Sequence, residues 1–199
     1  MQNSGQSSND ALAELESKVK QYKCDPRYPH DAAILITLEE SIAAAKEGNF
    51  AVGSCLVDSE GHVVERGHNH VPGTYRTDLH AEMAVMTQFE ERTKGSMKVQ
   101  DYTIFSSLEP CPMCTIRLIT AGVGHVFWAA DDLETGMMRT LDRLTPGWVA
   151  MTHQQEFGSA LCSPELKDWG WQVFLVTANM LAEKSKRTAQ VYLSNPDQS

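Results

Sequence analysis

Two short stretches, His80-Ala81-Glu82 and Pro110-Cys111-Pro112-Met113-Cys114, constrain this chain more than anything else in it. Together they offer three metal ligands and one carboxylate left over. Thiolates and a neutral imidazole suit zinc, and three protein ligands with a fourth position open is the ligand count of a catalytic site. A fold that uses both stretches must bring two helix starts to one point. Cys111 and Cys114 are i and i+3, so they share a face if a helix begins there. Pro112 suits a first helical turn, where its missing N–H costs nothing, and the helix dipole favours thiolate at that end. His80 and Glu82 are i and i+2 and diverge on a regular helix, so they face one pocket only at a helix start. Glu82 is then placed to take a proton from an activated water and pass it on. Each stretch alone has an ordinary reading: a redox pair or half a structural zinc site for the cysteines, a plain helix start for His-Ala-Glu.

Length and composition narrow the setting. A chain of 199 residues that is 42% hydrophobic fits one domain with some decoration. No apolar run approaches the length of a membrane span, so no membrane partner is expected. Residues Met1 to Asn9 are polar and rich in Ser, Asn and Gln, which reads as a disordered tail and not as a secretory signal. Of five cysteines, Cys24, Cys55 and Cys162 fall outside the metal set and show no framework spacing. That argues for a reducing compartment and a cytoplasmic location. The net charge of −9 gives no general electrostatic help in binding nucleic acid.

Along the chain, Leu12, Leu15, Val19 and Tyr22 predict an amphipathic helix over Asp10 to Tyr22, and Ile34, Leu35, Leu38, Ile42 and Ala45 a second over Asp31 to Glu47. Gly48 stands where a C-terminal cap belongs. Val52 to Val57 and His62 to Gly67 flank Asp58-Ser59-Glu60-Gly61 and read as a hairpin. A loop over Val71 to Asp78 leads to a helix from His80 to about Glu91, ended by Lys94-Gly95. Tyr102 to Ser107 reads as a strand, Pro110 opens the next helix, and Val126 to Ala130 is a further strand. Asp131 to Leu144 reads as loop then helix, and Thr145 to Gly170 as irregular. Gln172 to Thr177 reads as a last strand, with a final helix after Thr177. The alternation predicts an α/β fold with a mixed sheet.

His-x-Glu followed by Pro-Cys-x-x-Cys is the pattern of zinc nucleobase deaminases, and the chain resembles the cytidine-deaminase-like superfamily over roughly Ala32 to Asp142. Ala51-Val52-Gly53-Ser54-Cys55-Leu56-Val57 is similar to the family's first strand, and Gly67-His68-Asn69 to its strand end whose asparagine contacts substrate. Ser107-Leu108-Glu109 is similar to the lead-in of the purine-deaminating branch. Phe127-Trp128-Ala129-Ala130 with Glu134-Thr135-Gly136 is similar to bacterial tRNA adenosine deaminases, with one extra residue, and guanine deaminases carry an acidic group nearby. The segment Arg76-Thr77-Asp78-Leu79 departs from the family's Asp-Pro-Thr-Ala.

The resemblance implies a three-layer α/β/α fold around a central mixed five-stranded sheet. With composition and periodicity, it divides the chain into a disordered tail over 1–9, a helical extension over 10–30, a CMP/dCMP-type zinc deaminase domain over 31–190 and a polar tail over 191–199. It implies one zinc ion per chain on His80, Cys111 and Cys114, Glu82 as catalytic residue, Asn69, Asp131 and Glu134 as substrate-binding residues, and a homodimer. The reaction implied is hydrolytic deamination of an amino-substituted heteroaromatic base, free or as a nucleoside, with a purine such as guanine favoured. Adenosine in tRNA is the alternative, disfavoured by the net charge, with Lys184, Lys186 and Arg187 as a small basic patch. A zinc-binding scaffold without catalysis is a further one. Trp148 or Trp169 could stack on a flat ring, although packing under a loop is the preferred reading. His68 and His70 raise a second metal site, against the ordinary reading of loop histidines as polar surface.

Overall fold

The computed structural model describes residues 4–74, 76–95 and 98–194. Helix α1 runs over Ser4–Gln21 and α2 over Asp31–Lys46. Strands β1 (Gly53–Val57) and β2 (Val63–His68) follow, then the single turn α3 (Val71–Thr74) and helix α4 (Ala81–Thr93). Strand β3 (Thr103–Leu108), helix α5 (Pro112–Ala121) and strand β4 (His125–Ala130) complete the central part. After a 3-10 turn at Met138–Arg143 come α6 (Pro146–Thr152), β5 (Glu156–Ser159) and α7 (Pro164–Ser194).

The sheet order is β2-β1-β3-β4-β5. β1 pairs antiparallel with both β2 and β3, and β3, β4 and β5 are parallel. This is the mixed five-stranded sheet expected. Its central strands β1 and β3 are almost wholly buried because both faces are covered. On one face α2 and α7 pack against the strands, with α1 laid over them, and Leu12, Leu15, Val19, Ile34, Leu38, Cys55, Phe105, Leu166 and Val173 share a core. On the other, α4 and α5 enclose Leu56, Val85, Met86, Phe89, Ile104, Leu118 and Val126.

Two close approaches set the packing on the α2 and α7 side. A Cβ added at Gly53 would lie 2.2 Å from the Thr37 carbonyl oxygen, and one at Gly170 would lie 2.7 Å from that of Ser107. Glycine lets α2 ride directly on β1 and α7 directly on β3. A side-chain bridge follows the same line: Ser107 Oγ accepts from the Gly53 N–H at 3.1 Å and lies 2.9 Å from Ser41 Oγ.

Three expectations are corrected here. Helix α1 begins at Ser4, inside the stretch expected as tail, and α7 continues to Ser194, past residue 190. Helix propagation from a packed nucleus adds a hydrogen bond per residue, so polar flanks extend it at little cost. The last strand is not Gln172 to Thr177. Those residues belong to α7, whose buried positions Leu166, Gly170, Val173 and Thr177 recur at helical spacing. The fifth strand is Glu156–Ser159, within the segment expected to be irregular. It is a four-residue edge strand with one apolar side chain, specified by its register on β4 and not by any period of its own.

Candidate active site

Two helix starts converge as the ligand spacing requires. His80 is the residue preceding α4, with extended backbone (φ −69°, ψ 159°), and Glu82 lies in the first turn. Cys111 holds the same position on α5 (φ −70°, ψ 171°), with Pro112 beginning the helix and Cys114 in its first turn. The helix thus starts at Cys111–Pro112, not at Pro110. β3 delivers the chain to this point, since Leu108 ends the strand just before Glu109 and Pro110.

Ligand atoms of His80, Cys111 and Cys114 all lie within 4.8 Å of one another, and His80 Nδ1 is 3.5 Å from Cys111 Sγ. Hydrogen bonding from Cys114, with help from His80, holds the Cys111 thiol down to about 4 against the penalty of burial. The same contact with Cys111, together with burial, pushes Cys114 well up. Two sulfurs and one imidazole nitrogen form a donor set that fits zinc.

Glu82 is buried, 3% exposed. Burial raises its carboxyl above the ordinary carboxylate range, and the neighbouring Cys111 adds to this. Ser106 Oγ donates to Glu82 Oε1 at 2.9 Å. Sequence reading did not single out Ser106; it stands directly before the Ser107-Leu108-Glu109 lead-in, and its alternation along β3 was the available signal.

A cavity of about 340 Å³ opens onto these groups. Its polar lining includes Asn69, His80, Glu82, Glu109 and Thr135, and Phe50 and Phe174 supply aromatic walls. Asn69 is buried at the end of β2, its N–H bonded to the Val52 carbonyl and its Oδ1 accepting from the Val71 N–H at 3.0 Å. Phe174 comes from α7, a helix that sequence reading broke into a strand and a cap, so its place in the cavity was missed. Its ring centroid is 6.3 Å from that of Phe50.

Asp131 and Glu134 do not line this cavity. They face a separate one of about 550 Å³ shared with Lys167, Asp168 and Trp171, and Asp131 Oδ1 accepts from Trp128 Nε1 at 2.7 Å. The register of the turn after β4 places Asp132 and Thr135 toward Glu82 instead. Asp132 is occupied internally, accepting from the N–H groups of Glu134 and Thr135 and from the Thr135 hydroxyl. Buried Glu109 accepts from the Asp132 N–H, and from Arg139 through both its N–H and Nε (2.7 Å). Glu109 therefore braces the turn rather than facing substrate unpaired.

Trp169 packs edge-on to Tyr22 under α1, centroids 5.5 Å apart, as the packing reading expects, and Trp148 lies on α6, outside the lining. Lys184, Lys186 and Arg187 lie on α7, with side chains outside those described. The departing segment Arg76-Thr77-Asp78-Leu79 also lies outside the lining; Arg76 pairs with Asp78 on the surface.

Residues 29–130 match the family model of the cytidine and deoxycytidylate deaminase zinc-binding region. A tRNA-specific adenosine deaminase of Bacillus subtilis (strain 168) is 30% identical over 64% of this chain and 78% of its own length. The chain is 29% identical to a chloroplastic tRNA(adenine(34)) deaminase of Arabidopsis thaliana and spans only 11% of that protein. Among solved structures, one from a study of tRNA:A34 deaminases superposes with a TM-score of 0.61 at 22% identity, over 71% of this chain and 98% of that one. A guanine deaminase from Nitrosomonas europaea gives 0.57 at 17% identity, over 81% and 91%. The chain belongs to the cytidine and deoxycytidylate deaminase family. That places it among the zinc-dependent deaminases, with His80, Cys111 and Cys114 as the group that can hold the metal. Among the described residues, no helix is long and apolar enough to cross a membrane.

Proposed function

We propose that this protein hydrolytically deaminates a free amino-substituted heteroaromatic base or its nucleoside, with a purine such as guanine the favoured substrate. The observation that carries the reading is a cavity of about 340 Å³ with aromatic walls that ends on buried Glu82 beside the three ligand residues. That volume suits a single base or nucleoside, and the two phenyl rings suit a flat ring system.

His80, Cys111 and Cys114 would hold the zinc ion, which when bound would supply the Lewis acidity that makes water a nucleophile near neutral pH. Glu82 accepts one proton from the water and delivers it to a ring nitrogen as the new C–O bond forms; it then takes the second proton from the added hydroxyl and hands it to the amino group, so that the C–N bond breaks and ammonia leaves. Ser106 holds Oε1 of Glu82 while this happens. Asn69 has its oxygen engaged by the Val71 N–H, so its amide N–H2 group is the donor offered to the base. Phe50, Phe174 and Leu108 exclude bulk water around the reacting carbon.

A second reading is deamination of adenosine within tRNA, supported by what the relatives from Bacillus subtilis and Arabidopsis thaliana are named for. The net charge of −9 weighs against it, since phosphate neutralisation dominates nucleic-acid affinity. A homodimer belongs to the same proposal, and light scattering on the purified chain tests it.

Ammonia release from the zinc-loaded protein, measured across guanine, adenine, cytosine, their nucleosides and tRNA, tests the function. Turnover of a free purine that vanishes in Glu82→Ala is expected. Turnover of tRNA alone selects the second reading. Stoichiometric zinc with no turnover of any substrate leaves a non-catalytic scaffold.

A further inference from the structure

Among the described residues, a second group of metal-ligating side chains stands apart from the Glu82 site: Glu47, His68 and His70. Glu47 follows the last turn of α2, and His68 ends β2. The two histidines flank Asn69.

Two imidazole nitrogens converge on one carboxylate oxygen. His68 Nε2 is 3.1 Å and His70 Nδ1 3.4 Å from Glu47 Oε2, and the two rings lie 4.4 Å apart. Bonds of about 2.0–2.1 Å to a tetrahedral zinc ion place neighbouring ligand atoms about 3.3 Å apart, so these separations are those of ligands around one ion.

The surroundings support the same reading. His68 Nδ1 lies 2.6 Å from Glu40 Oε2, and Arg66 Nε donates to Glu40 Oε1 at 2.5 Å. A carboxylate on one imidazole nitrogen fixes the tautomer and turns the other nitrogen's lone pair toward a metal. Glu39, on Arg66, adds a further negative charge nearby. His70 turns its Nδ1 to the same Glu47 oxygen that His68 Nε2 faces, so the end of α2, the end of β2 and the residue after Asn69 present their ligand atoms to one point.

We propose that Glu47, His68 and His70 bind a second divalent metal ion of the zinc class, distinct from the one on the cysteines. Two nitrogens and one oxygen suit zinc, cobalt or nickel in preference to calcium or magnesium, with water completing the shell. The ion clips the end of α2 to the end of β2 and so fixes the backbone on both sides of Asn69.

Metal content of the full chain tests this. The protein is stripped with a chelator, dialysed against zinc at neutral pH and measured by plasma emission. Two equivalents per chain are expected, falling to one in Glu47→Gln and in His70→Gln. Glu47 and His70 are partly exposed, which spares the fold, and circular dichroism checks it. Cobalt separates the sites: the thiolate site gives intense sulfur-to-metal absorption, the second equivalent adds none, and Cys111→Ser removes that band while the second site still fills. One equivalent in the unaltered protein, or two retained in both Glu47→Gln and His70→Gln, overturns the proposal. None of these readouts depends on turnover, so the result stands apart from the proposed deaminase reaction.

Discussion

Ser106 Oγ donates to Glu82 Oε1 at 2.9 Å, and both side chains are buried, so the carboxylate beside the three ligand residues is held in one orientation. Replacing the proton carrier and replacing its holder therefore have different consequences. Glu82→Gln keeps the shape and removes the proton acceptor. General acid–base groups contribute about 10²–10⁴-fold, and the variant is expected to lose at least that much in kcat while binding zinc as before. Ser106→Ala loses one hydrogen bond to a charged group, about 1.5–3 kcal/mol at most, and is expected to keep measurable turnover. Ammonia release and metal content on both variants check this. Glu82→Gln retaining near-normal turnover would sink the assignment.

His30 predicts an acid-sensitive fold. Its ring packs against Phe105 and Phe127, and its Nδ1 accepts from the Leu161 N–H at 3.0 Å. Burial lowers its pKa, and Glu156 opposes this only weakly. The folded state thus resists a proton that the unfolded chain takes up near pH ~6.5. The stabilisation is present above that pH and is lost as pH falls through it toward the folded value. Urea midpoints of the unaltered protein are expected to drop between pH 7 and pH 5. His30→Leu, which has nothing to titrate, is expected to show a shallower drop; equal slopes would contradict the account.

Tyr22 closes a polar clasp between three helices. Its hydroxyl lies 2.7 Å from Asp31 Oδ2 and 2.6 Å from Ser163 Oγ, while Asp31 also accepts from the Ser163 N–H at 2.7 Å. Burial raises the phenol to about 12, with the Asp31 carboxylate acting in the same direction. Asp31 is 1% exposed, and among the described residues its hydrogen-bonding partners include no cation. Tyr22→Phe takes a donor from a buried carboxylate and is expected to cost about 1–3 kcal/mol, read as a lower urea midpoint at unchanged slope. Since the clasp lies away from the cavity, zinc content should not change.

Gly136 tests the turn that carries Thr135. A Cβ there would sit 2.5 Å from the Glu109 carboxyl carbon and 2.6 Å from the Asp132 carbonyl oxygen. Gly136→Ala forces Glu109 off Arg139 or shifts the turn that faces the cavity. Substrate KM is expected to rise several-fold, with zinc retained. An unchanged KM would mean that the turn does not contact substrate.

The three candidate ligands and Glu82 were legible because their geometry is local: two N-terminal helix turns, each written within a few residues, fix where His80, Glu82, Cys111 and Cys114 point. The hairpin and the first two helices were legible for the same reason, through glycine turns and apolar stripes. What failed depends on long-range placement. Glu156–Ser159 has no strand period and becomes a strand only by lying beside β4. Gln172 to Thr177 has the apolar density of a buried strand, and only the continuation of Leu166, Gly170, Val173 and Thr177 at helical spacing shows otherwise. Asp131 and Glu134 face the neighbouring cavity, because they lie in a turn whose exit angle the sequence does not display. The pairing of His68 with Glu47 crosses from a strand to a helix end and has no sequence signature.

Phe174 reaches the cavity from α7, beyond the 29–130 stretch that the family model covers. The cavity lining therefore has two origins: His80, Glu82 and Cys111 in the shared stretch, and Asp132, Thr135 and Phe174 outside it. On the proposed function, such a division would let substrate preference drift by substitutions on α7 while His80, Glu82, Cys111 and Cys114 stay untouched. It also makes the identity of the residue at position 174, more than any feature of the metal centre, the place where paralogues of this chain would be expected to part company.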